Sequence, residues 1–330
     1  MSDDASQNPT ESTPRRRVMV VGGAGFIGSH VVDRLLADGD DPHGAGPFDI
    51  DVVDDLSTGS LGNLSAARAI GDGMTFHHLD VCGDAAGVLA SRRTPEVIIH
   101  AAAVPRRVTS AGQVATALER TAAVVDMARA HGINKVITVL PATSMYGRPP
   151  ARGMPAKEAP VEPRGLRGLL CRSVVDLCTY HRQHYGIEFT ALAVASVYGP
   201  RQRPGDSVVA TLFESARTGT TPRVDGDGRQ ARDFVHVDDV AEAVARAIDR
   251  AGGLVVNIGT GRQTTVADLV DMIHGPDTVA ERAPGRGDEL MRFALSSARA
   301  RIHLGWSALT SVSDGIAAMR EEMGLDSPLR

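Results

Sequence analysis

The sequence predicts an α/β fold in which a doubly wound parallel sheet is followed by a smaller α/β region. Short β-rich runs alternate with amphipathic helical stretches from residue 17 onward, a pattern typical of parallel sheets that helices cover on both faces. A glycine-rich turn joins the first strand to the first helix. The 330 residues, 42% of them apolar, are enough to bury a large core.

The first half of the chain is predicted to supply five strands. Their β-branched and apolar runs cover residues 17–21, 49–55, 75–81, 96–103 and 134–140. Apolar residues at helical spacing predict helices over 26–39 and about 112–131. Residues 40–48 predict a loop that is longer than a compact βα unit needs.

After residue 198 the pattern becomes mixed. Helices are predicted over 207–219, 237–249 and 264–273, and Thr265 is the expected N-cap of the last one. A strand is predicted over 232–237, and a strand with its turn over 253–261. The remaining tail is expected to hold one or two further helices.

Composition argues against several classes of protein. The net charge of −5 disfavours a nucleic-acid-binding surface, and no stretch approaches the roughly 18 apolar residues of a membrane-spanning helix. The three cysteines form neither a disulfide framework nor a C-x-x-C pair, which indicates a reducing, cytoplasmic environment. Residues 1–16 contain no apolar run and are expected to be a disordered tail.

The stretch VVGGAGFIGSH satisfies both G-x-G-x-x-G and G-x-x-G-x-x-G. Glycine lets the backbone approach a pyrophosphate, and the helix N-terminus offers free N–H groups and the positive end of a dipole. The alternative is a merely structural turn, but strand, turn and helix occur in the order that dinucleotide binding requires. The residues predicted to form this cofactor loop are Gly22, Gly23, Gly25, Phe26, Ile27 and Gly28.

An acidic pair, Asp54 and Asp55, ends the second predicted strand. An acid at this place can accept hydrogen bonds from an adenosine ribose, and it repels a 2′-phosphate, so NAD is favoured over NADP. Asp80 follows the third strand and is a candidate adenine contact. The alternative for Asp80 is a solvated loop acid.

Six stretches together resemble the extended short-chain dehydrogenase/reductases of the NAD-dependent epimerase/dehydratase family. They are VVGGAGFIGSHVVDRLL, VVDDLSTG, VIIHAAA, SVYGPRQ, VDGDGRQARDFVHVDDVAEA and NIGTG, and they span most of residues 17–305. The resemblance implies an NAD-binding Rossmann domain over 17–195 and a substrate-binding region over 196–330, with segments of the two interleaved. It adds further expected cofactor contacts at Leu56, Ser57, Val81, Ala101, Ala102 and Ala103.

The resemblance also implies an activity. In this family NAD takes a hydride from a sugar carbon, and the transient ketone permits epimerisation or loss of water before the hydride returns. The implied substrate is a nucleotide-linked or nucleoside sugar, because UDP-glucose 4-epimerases and nucleotide-sugar dehydratases are family members. Arg232 matches a position that contacts the substrate diphosphate, and Arg292 falls near a second one; the alternative for both is a surface ion pair. Ser196 and Arg201 are further candidate substrate contacts.

The hydroxyl residue that the family places after the fifth strand is absent from its expected position. In LPATSMYG that position falls on Ala142, or on Pro141 in a longer variant. Thr143 and Ser144 are adjacent and are candidate replacements. Tyr146 is a candidate acid/base because few phenols lie near the expected site.

The family's Tyr-x-x-x-Lys, at the start of the next long helix, is absent too. In RGLRGLLCR the two positions fall on Arg167 and Cys171, or on Gly168 and Arg172 if the register shifts by one. Arginine stays protonated, so Arg167 is a poor general base but could bind an anion of the substrate. Cys171 could transfer a proton, with core packing beside Cys178 as the alternative.

Two hypotheses follow. The first is an NAD-dependent epimerase or dehydratase with an altered acid/base set, and the second is a non-catalytic NAD-binding protein that serves as a partner subunit or sensor. His181 and His184 lie three residues apart on one helix, but no third ligand is evident, so no metal is expected. The resemblance implies a homodimer paired through the helices after the fourth and fifth strands.

Overall fold

The computed structural model describes residues 15–37, 47–147, 154–158, 163, 165–285 and 290–325. The strands are β1 (Arg16–Val21), β2 (Phe48–Asp54), β3 (Met74–His78), β4 (Val97–His100), β5 (Lys135–Pro141), β6 (Glu188–Val194), β7 (Ser196–Tyr198), β8 (Arg223–Asp225), β9 (Ala231–Arg232), β10 (Phe234–His236), β11 (Leu254–Ile258), β12 (Thr264–Thr265), β13 (Glu281–Ala283) and β14 (Arg292–Phe293). The α-helices are α1 (Phe26–Leu36), α2 (Ser65–Ile70), α3 (Asp84–Arg93), α4 (Ala111–Ala130), α5 (Ala142–Met145), α6 (Gly165–Tyr185), α7 (Val208–Thr218), α8 (Val237–Ala247), α9 (Val266–His274), α10 (Ala298–Leu304) and α11 (Val312–Glu322).

Seven strands form the central sheet in the order β11-β6-β5-β4-β1-β2-β3, and all neighbouring pairs are parallel. The central strands are buried on both faces, which explains their continuous apolar runs. Strand order reverses between β1 and β4, so the loops at the carboxyl ends of these two strands part and leave a crevice. The predicted doubly wound parallel sheet is confirmed.

Within the described residues, the second part of the chain adds three small sheets. β7 pairs with β10, β9 lies between β12 and β14, and β8 pairs with β13. Apolar side chains from α7, α9 and α11 form a separate hydrophobic cluster with Tyr198 and Phe234. The predicted N-cap of α9 is confirmed, since the Thr265 hydroxyl accepts from the Asp268 N–H and the Asp268 carboxylate accepts from the Thr265 N–H.

Two later elements return to the central sheet. β11 forms its edge beside β6, and α8 packs against α1. His30 Nδ1 lies 2.7 Å from Asp238 Oδ1, and Arg34 Nε donates to Glu242 Oε2 at 2.5 Å. The chain after residue 196 therefore contributes both a strand to the central sheet and a helix that packs against α1.

Several predicted boundaries differ from the structure: the helix predicted over 26–39 ends at Leu36, and the strands predicted over 75–81 and 96–103 end at His78 and His100. The strand predicted over 232–237 is wrong as one element, because the chain changes sheets at Asp233, whose N–H donates to the Phe293 carbonyl while its own carbonyl accepts from Ser196. β1 begins at Arg16, so it takes one residue of the predicted tail. Most of that tail, and most of the loop predicted over 40–48, lie outside the described residues.

None of the described helices combines the length and the apolar character that crossing a bilayer requires.

Candidate active site

The glycine turn closes tightly against α1. The helix begins at Phe26, and its N-cap Gly25 has no side chain to satisfy the free amides of the first turn. Gly22 adopts a φ of +81°, and a Cβ atom on Gly28 would collide with the Gly22 carbonyl oxygen. Gly23 is equally confined, since its Cβ would lie 2.7 Å from a methyl carbon of Val52. This close approach brings the first turn of α1, with its free amides, beside the crevice, an arrangement that fits a pyrophosphate.

The Asp54 carboxylate links the end of β2 to the glycine turn by a hydrogen bond. Its Oδ2 accepts from the Ala24 N–H at 2.9 Å, and its Oδ1 accepts from the Leu56 N–H at 2.8 Å. Burial raises the pKa of the Asp54 carboxyl, although both hydrogen bonds oppose that shift. Each oxygen keeps a further lone pair, so the carboxylate fits a ribose hydroxyl donor.

Asp55 is held by its own neighbours. Its Oδ1 accepts from the Ser57 N–H at 2.9 Å and from the Ser57 hydroxyl at 2.5 Å, and Arg120 Nη2 donates to Oδ2 at 3.1 Å. Burial alone would raise the pKa of Asp55, but the Ser57 bonds and the Arg120 charge outweigh it and lower that pKa. Leu56 between the two acids has a left-handed φ of 56°. The adjacent carboxylates make this end of β2 unfavourable for a 2′-phosphate.

The predicted adenine contact lies after β3. Asp80 is exposed, and its Oδ1 accepts from the Cys82 N–H at 3.0 Å, so one oxygen is committed to the local turn. Val81 is 7% exposed and packs into the core. Asp80 therefore has one carboxylate oxygen outside that hydrogen bond.

The three predicted alanines follow β4, opposite the glycine turn. The Ala101 N–H donates to the Val21 carbonyl at 2.9 Å, and Ala101 lines the crevice. Ala102 lies against Gly22, where a Cβ on the glycine would come within 2.8 Å of the alanine Cβ. Ala103 is fully buried. Small side chains here keep the crevice open beside the glycine turn.

A cleft of about 670 Å³ joins the glycine turn to the second part of the chain. One wall consists of loops at the carboxyl ends of β1, β4 and β5, and it includes Gly22, Gly25, Phe26, Ile27, Gly28 and Ala101. The opposite wall comes from the segments around β7, α7, β8 and β9, and it includes Ser196, Gln202, Ser207, Arg223, Gln230 and Arg232. The cleft is large enough for a drug-sized ligand.

Thr143 brings a hydroxyl group to this cleft. It lies in α5, the short helix that directly follows β5, and it is half-buried among the lining residues. Ser144 is half-buried too but does not line the cleft. The Ser144 carbonyl packs against Gly168, where a Cβ atom would collide with it. Of the two candidate hydroxyl residues, Thr143 is therefore the one that can meet a ligand.

Tyr146 lies beneath the cleft rather than in it. It is 5% exposed, and its hydroxyl donates to Asn257 Oδ1 at 2.7 Å. Burial and the nearby Glu158 charge raise the pKa of the phenol far above its ordinary value. The side chain joins the end of β5 to β11, and it does not line the cleft.

Cys171 and Cys178 both face the core from α6. Their side chains are 0% and 2% exposed, and burial raises the pKa of each thiol to about 12. Neither residue lines the cleft. A thiol with such a pKa stays protonated at neutral pH, which fits core packing rather than proton transfer.

Arg167, in the first turn of α6, does reach the cleft. Its Nε donates to the Pro105 carbonyl at 3.1 Å. Burial lowers the pKa of its guanidinium, and the charge of Arg106 adds to that shift. Even a lowered arginine pKa leaves the group protonated at neutral pH, so Arg167 can attract an anion but cannot accept a proton.

The other predicted substrate contacts are distributed around the cleft. Ser196 and Arg232 line it, and Arg232 is half-buried with its Nη1 donating to the Ala231 carbonyl at 3.0 Å. Arg201 lies 2.5 Å from Asp33 of α1 in an ion pair and does not line the cleft. Arg292 is exposed on β14 and does not line it either.

Sequence reasoning did not single out several cleft residues. Arg106 and Asp206 lie 3.8 Å apart, Nε to Oδ1, and come from distant parts of the chain. Arg223 and Gln230 enter from the β8–β9 segment. Gln202 belongs to the SVYGPRQ stretch that carried the family resemblance, and this was the one available signal for it.

The two histidines of α6 serve other contacts. His181 is buried, with its Nδ1 3.0 Å from the Leu177 carbonyl, and His184 stacks on Tyr180 at 4.2 Å between ring centroids. In the part of the chain that the structure describes, no cluster of three histidine, cysteine or acidic side chains suits a metal ion.

The fold and the cleft together define a dinucleotide-binding α/β protein. The model of the NAD dependent epimerase/dehydratase family matches residues 18–259, and the chain therefore belongs to that family, whose cofactor is NAD. The geometry of the glycine turn and of Asp54 fits this cofactor.

Named relatives cover nearly the whole chain. A UDP-glucose 4-epimerase from Mycolicibacterium smegmatis is 38% identical over 315 residues, which cover 91% of this chain and 96% of the relative. A dTDP-glucose 4,6-dehydratase from Actinoplanes sp. is 30% identical over 91% of this chain and 95% of its own length. The crystal structure of a Thermus thermophilus UDP-glucose 4-epimerase with NAD has a TM-score of 0.79 at 27% identity and covers 95% of this chain and 100% of that one.

Proposed function

We propose that the protein uses NAD to epimerise or dehydrate a nucleotide-linked or nucleoside sugar by transient hydride transfer. The observation that carries this proposal is a single cleft lined both by the glycine turn and by Arg232. A dinucleotide on the turn and a sugar diphosphate at Arg232 would then share one enclosed space. The names of the relatives, UDP-glucose 4-epimerase and dTDP-glucose 4,6-dehydratase, support this substrate class.

The geometry supports a proposed role for each of the cofactor residues. The first-turn amides of α1, which follow Gly25, hold the pyrophosphate, Asp54 accepts from the adenosine ribose, and Asp80 offers its second oxygen to adenine. The bound NAD supplies a hydride acceptor that no side chain can replace. We propose residues 17–195 as the cofactor domain and 196–330 as the substrate region, with α8 and β11 packed on the cofactor domain.

The substrate diphosphate is proposed to lie between Arg223 and Arg232. Both residues line the same side of the cleft, and arginine matches phosphate oxygens with two parallel hydrogen bonds. Ser196 lines the same cleft and can donate its hydroxyl to the sugar. Arg201 and Arg292, which do not line the cleft, have no role in this proposal.

Proton transfer is proposed to run through Thr143 rather than through Tyr146 or Cys171. Thr143 lines the cleft, whereas the other two groups are buried and their pKa values are raised by that burial. A threonine hydroxyl is a weak base, so it serves to position and relay the proton of the sugar hydroxyl to water or to a group of the substrate. This arrangement is the altered acid/base set.

The test is mass spectrometry after chromatography on NAD-loaded protein in D₂O, against a panel of nucleotide sugars and nucleosides. Epimerisation gives an isomer with a different retention time, with or without added deuterium, and dehydration gives a product that has lost water. Thr143→Val should lower turnover by about 10²–10⁴-fold, the range of a positioned acid/base group, whereas Ser144→Ala should leave turnover near the wild-type value.

A second pair of variants tests the diphosphate site. Arg232→Gln should weaken binding of UDP-linked sugars by about ten-fold or more, since a hydrogen bond to a charged group is lost. Arg229→Gln is the matched control, because Arg229 is exposed in the adjacent turn. Protein that binds NAD but converts no compound of the panel would instead favour the non-catalytic partner subunit or sensor.

We further propose a cytoplasmic homodimer that pairs through α4 and α6. Leu169, Tyr180 and Tyr185 of α6 are 46%, 47% and 43% exposed, and a partner subunit on this helix would bury them. Light scattering on the purified protein should give twice the monomer mass, and Tyr180→Lys should shift it toward the monomer. A monomer at all concentrations would contradict this assembly.

A further inference from the structure

The cleft carries an excess of positive charge. Among the described residues that line it, the arginines are Arg106, Arg167, Arg223 and Arg232, and the acids are Asp206 and Asp225. Arg223 and Arg232 come from the β8–β9 segment, where the proposed diphosphate lies. Arg106 and Arg167 come from the loop after β4 and from α6, on the other wall. The proposed function assigns the substrate diphosphate to one of these pairs and the NAD pyrophosphate to the glycine turn, and it assigns no ligand to the other pair.

Arg167 occupies an unfavourable place for a cation. It lies in the first turn of α6, where the positive end of the helix dipole repels it, and that turn contains no acidic residue. Its Nε donates to the Pro105 carbonyl at 3.1 Å, and the residue lines the cleft. Among the described residues, no carboxylate forms an ion pair with Arg167.

Arg106 brings a second guanidinium to the same place. It follows Pro105 directly, so the residue that anchors Arg167 also sets the backbone position of Arg106. Asp206 Oδ1 lies 3.8 Å from Arg106 Nε, so one carboxylate is already near this end of the cleft. Burial lowers the pKa of Arg167, and the like charge of Arg106 acts in the same direction.

Two guanidinium groups that repel each other inside a cleft are stabilised by an anion between them. We propose that Arg106 and Arg167 bind a carboxylate on the sugar, so that the substrate is a nucleoside diphosphate-linked uronic acid. This inference rests on the proposed function and deepens it. The planar, forked guanidinium matches a carboxylate with two parallel hydrogen bonds, whereas a neutral hydroxymethyl group offers no charge to the pair.

The test compares acid and neutral forms of the same sugar on NAD-loaded protein by calorimetry. The first pair of probes is UDP-glucuronate and UDP-glucose. The second pair is glucuronate 1-phosphate and glucose 1-phosphate, which carry no base, so the comparison does not depend on which base the protein prefers. In both pairs the acid should bind about ten-fold or more tightly, the effect of a hydrogen bond to a charged group. Arg167→Gln should abolish that preference, and Arg106→Gln, at an exposed side chain, should reduce it.

Arg172→Gln is the matched control on the same helix, because Arg172 is exposed and pairs with Asp176 at 2.9 Å outside the cleft. It should leave the preference for the acid unchanged. Equal binding of acid and neutral sugars, or an Arg167→Gln variant that keeps the preference, would overturn the inference. The proposed function is tested separately, because Arg232→Gln should weaken the binding of UDP and of both UDP-sugars by the same factor. Unchanged binding of UDP in Arg232→Gln would count against the diphosphate site.

Discussion

Burial separates the candidate acid/base residues into those that can meet a substrate and those that hold the fold together. Tyr146 belongs to the second group. Its hydroxyl donates a hydrogen bond to Asn257 Oδ1. Asn257 in turn donates from Nδ2 to the Ala156 carbonyl and from its backbone N–H to Glu158 Oε1, both at 3.0 Å. Asn257 is fully buried, so each of these bonds replaces a bond to water.

Tyr146→Phe tests this structural role. The change removes the hydroxyl and leaves the buried Asn257 Oδ1 without its donor, which costs about 1–3 kcal/mol. We expect the free energy of unfolding in urea to fall by about that amount, while NAD affinity and turnover stay near their wild-type values. Lost turnover at unchanged stability would instead restore Tyr146 as a proton-transfer candidate.

The β1–α1 unit depends on close approach of the backbone more than on any side chain. A Cβ atom on Gly28 would collide with the carbonyl of Gly22, and backbone atoms cannot move aside as the end of a flexible side chain can. The first-turn amides of α1 would shift with the turn. Cofactor binding is therefore expected to be more sensitive than folding to a single added methyl group here.

Gly28→Ala is expected to weaken NAD binding by about ten-fold or more, measured by fluorescence titration, because displaced amides lose hydrogen bonds to a charged pyrophosphate. Gly87→Ala is the matched control. Gly87 lies inside α3, and an added Cβ there would meet nothing closer than His131 Nε2 at 3.8 Å. This control should raise helix stability by roughly 0.5–1 kcal/mol without changing NAD affinity. Wild-type NAD affinity in Gly28→Ala would contradict the close-approach argument.

The features that the sequence predicted correctly are those that depend on residues close together in the chain. The glycine turn, the parallel strands and the Thr265 cap each follow from residues within a few positions of one another. The second half was less predictable because its contacts are long-range. Asp233 shows why: its carboxylate accepts from Thr260, Gly261 and Leu295, up to 62 residues away, and the chain changes sheets there. A residue that bonds to such distant segments leaves no periodic pattern in the sequence around it.

The assembled molecule holds a neutral imidazole at the centre of its main sheet. His100, in β4, is fully buried; its Nε2 lies 3.3 Å from Thr121 Oγ1, and its Nδ1 has no partner among the described residues. Burial lowers the pKa of His100 to about 3, and the Arg120 charge adds to the shift. Burial is also the chief cause that lowers the pKa of His236, at the start of α8.

These shifts predict how global stability depends on pH. A histidine in the unfolded chain has a pKa of about 6.5, so below that pH the unfolded state binds a proton that the folded His100 does not. The stability it contributes is thus fully present above pH 6.5 and is lost as the pH falls toward about 3. The slope approaches about 1.4 kcal/mol per pH unit for one such group.

His100→Leu should make that slope shallower. Leucine fills a similar volume without a titrating group, and Thr121 keeps its hydrogen bond to the Ala117 carbonyl at 3.3 Å. We expect urea unfolding between pH 6.5 and 4.5 to lose about 1 kcal/mol less per pH unit in the variant than in the wild type, since the proton that drives the loss is absent. His303→Gln, at an exposed position, is the control and should retain the wild-type slope. Equal slopes in His100→Leu and the wild type would mean that the folded protein accommodates a charged imidazole within β4.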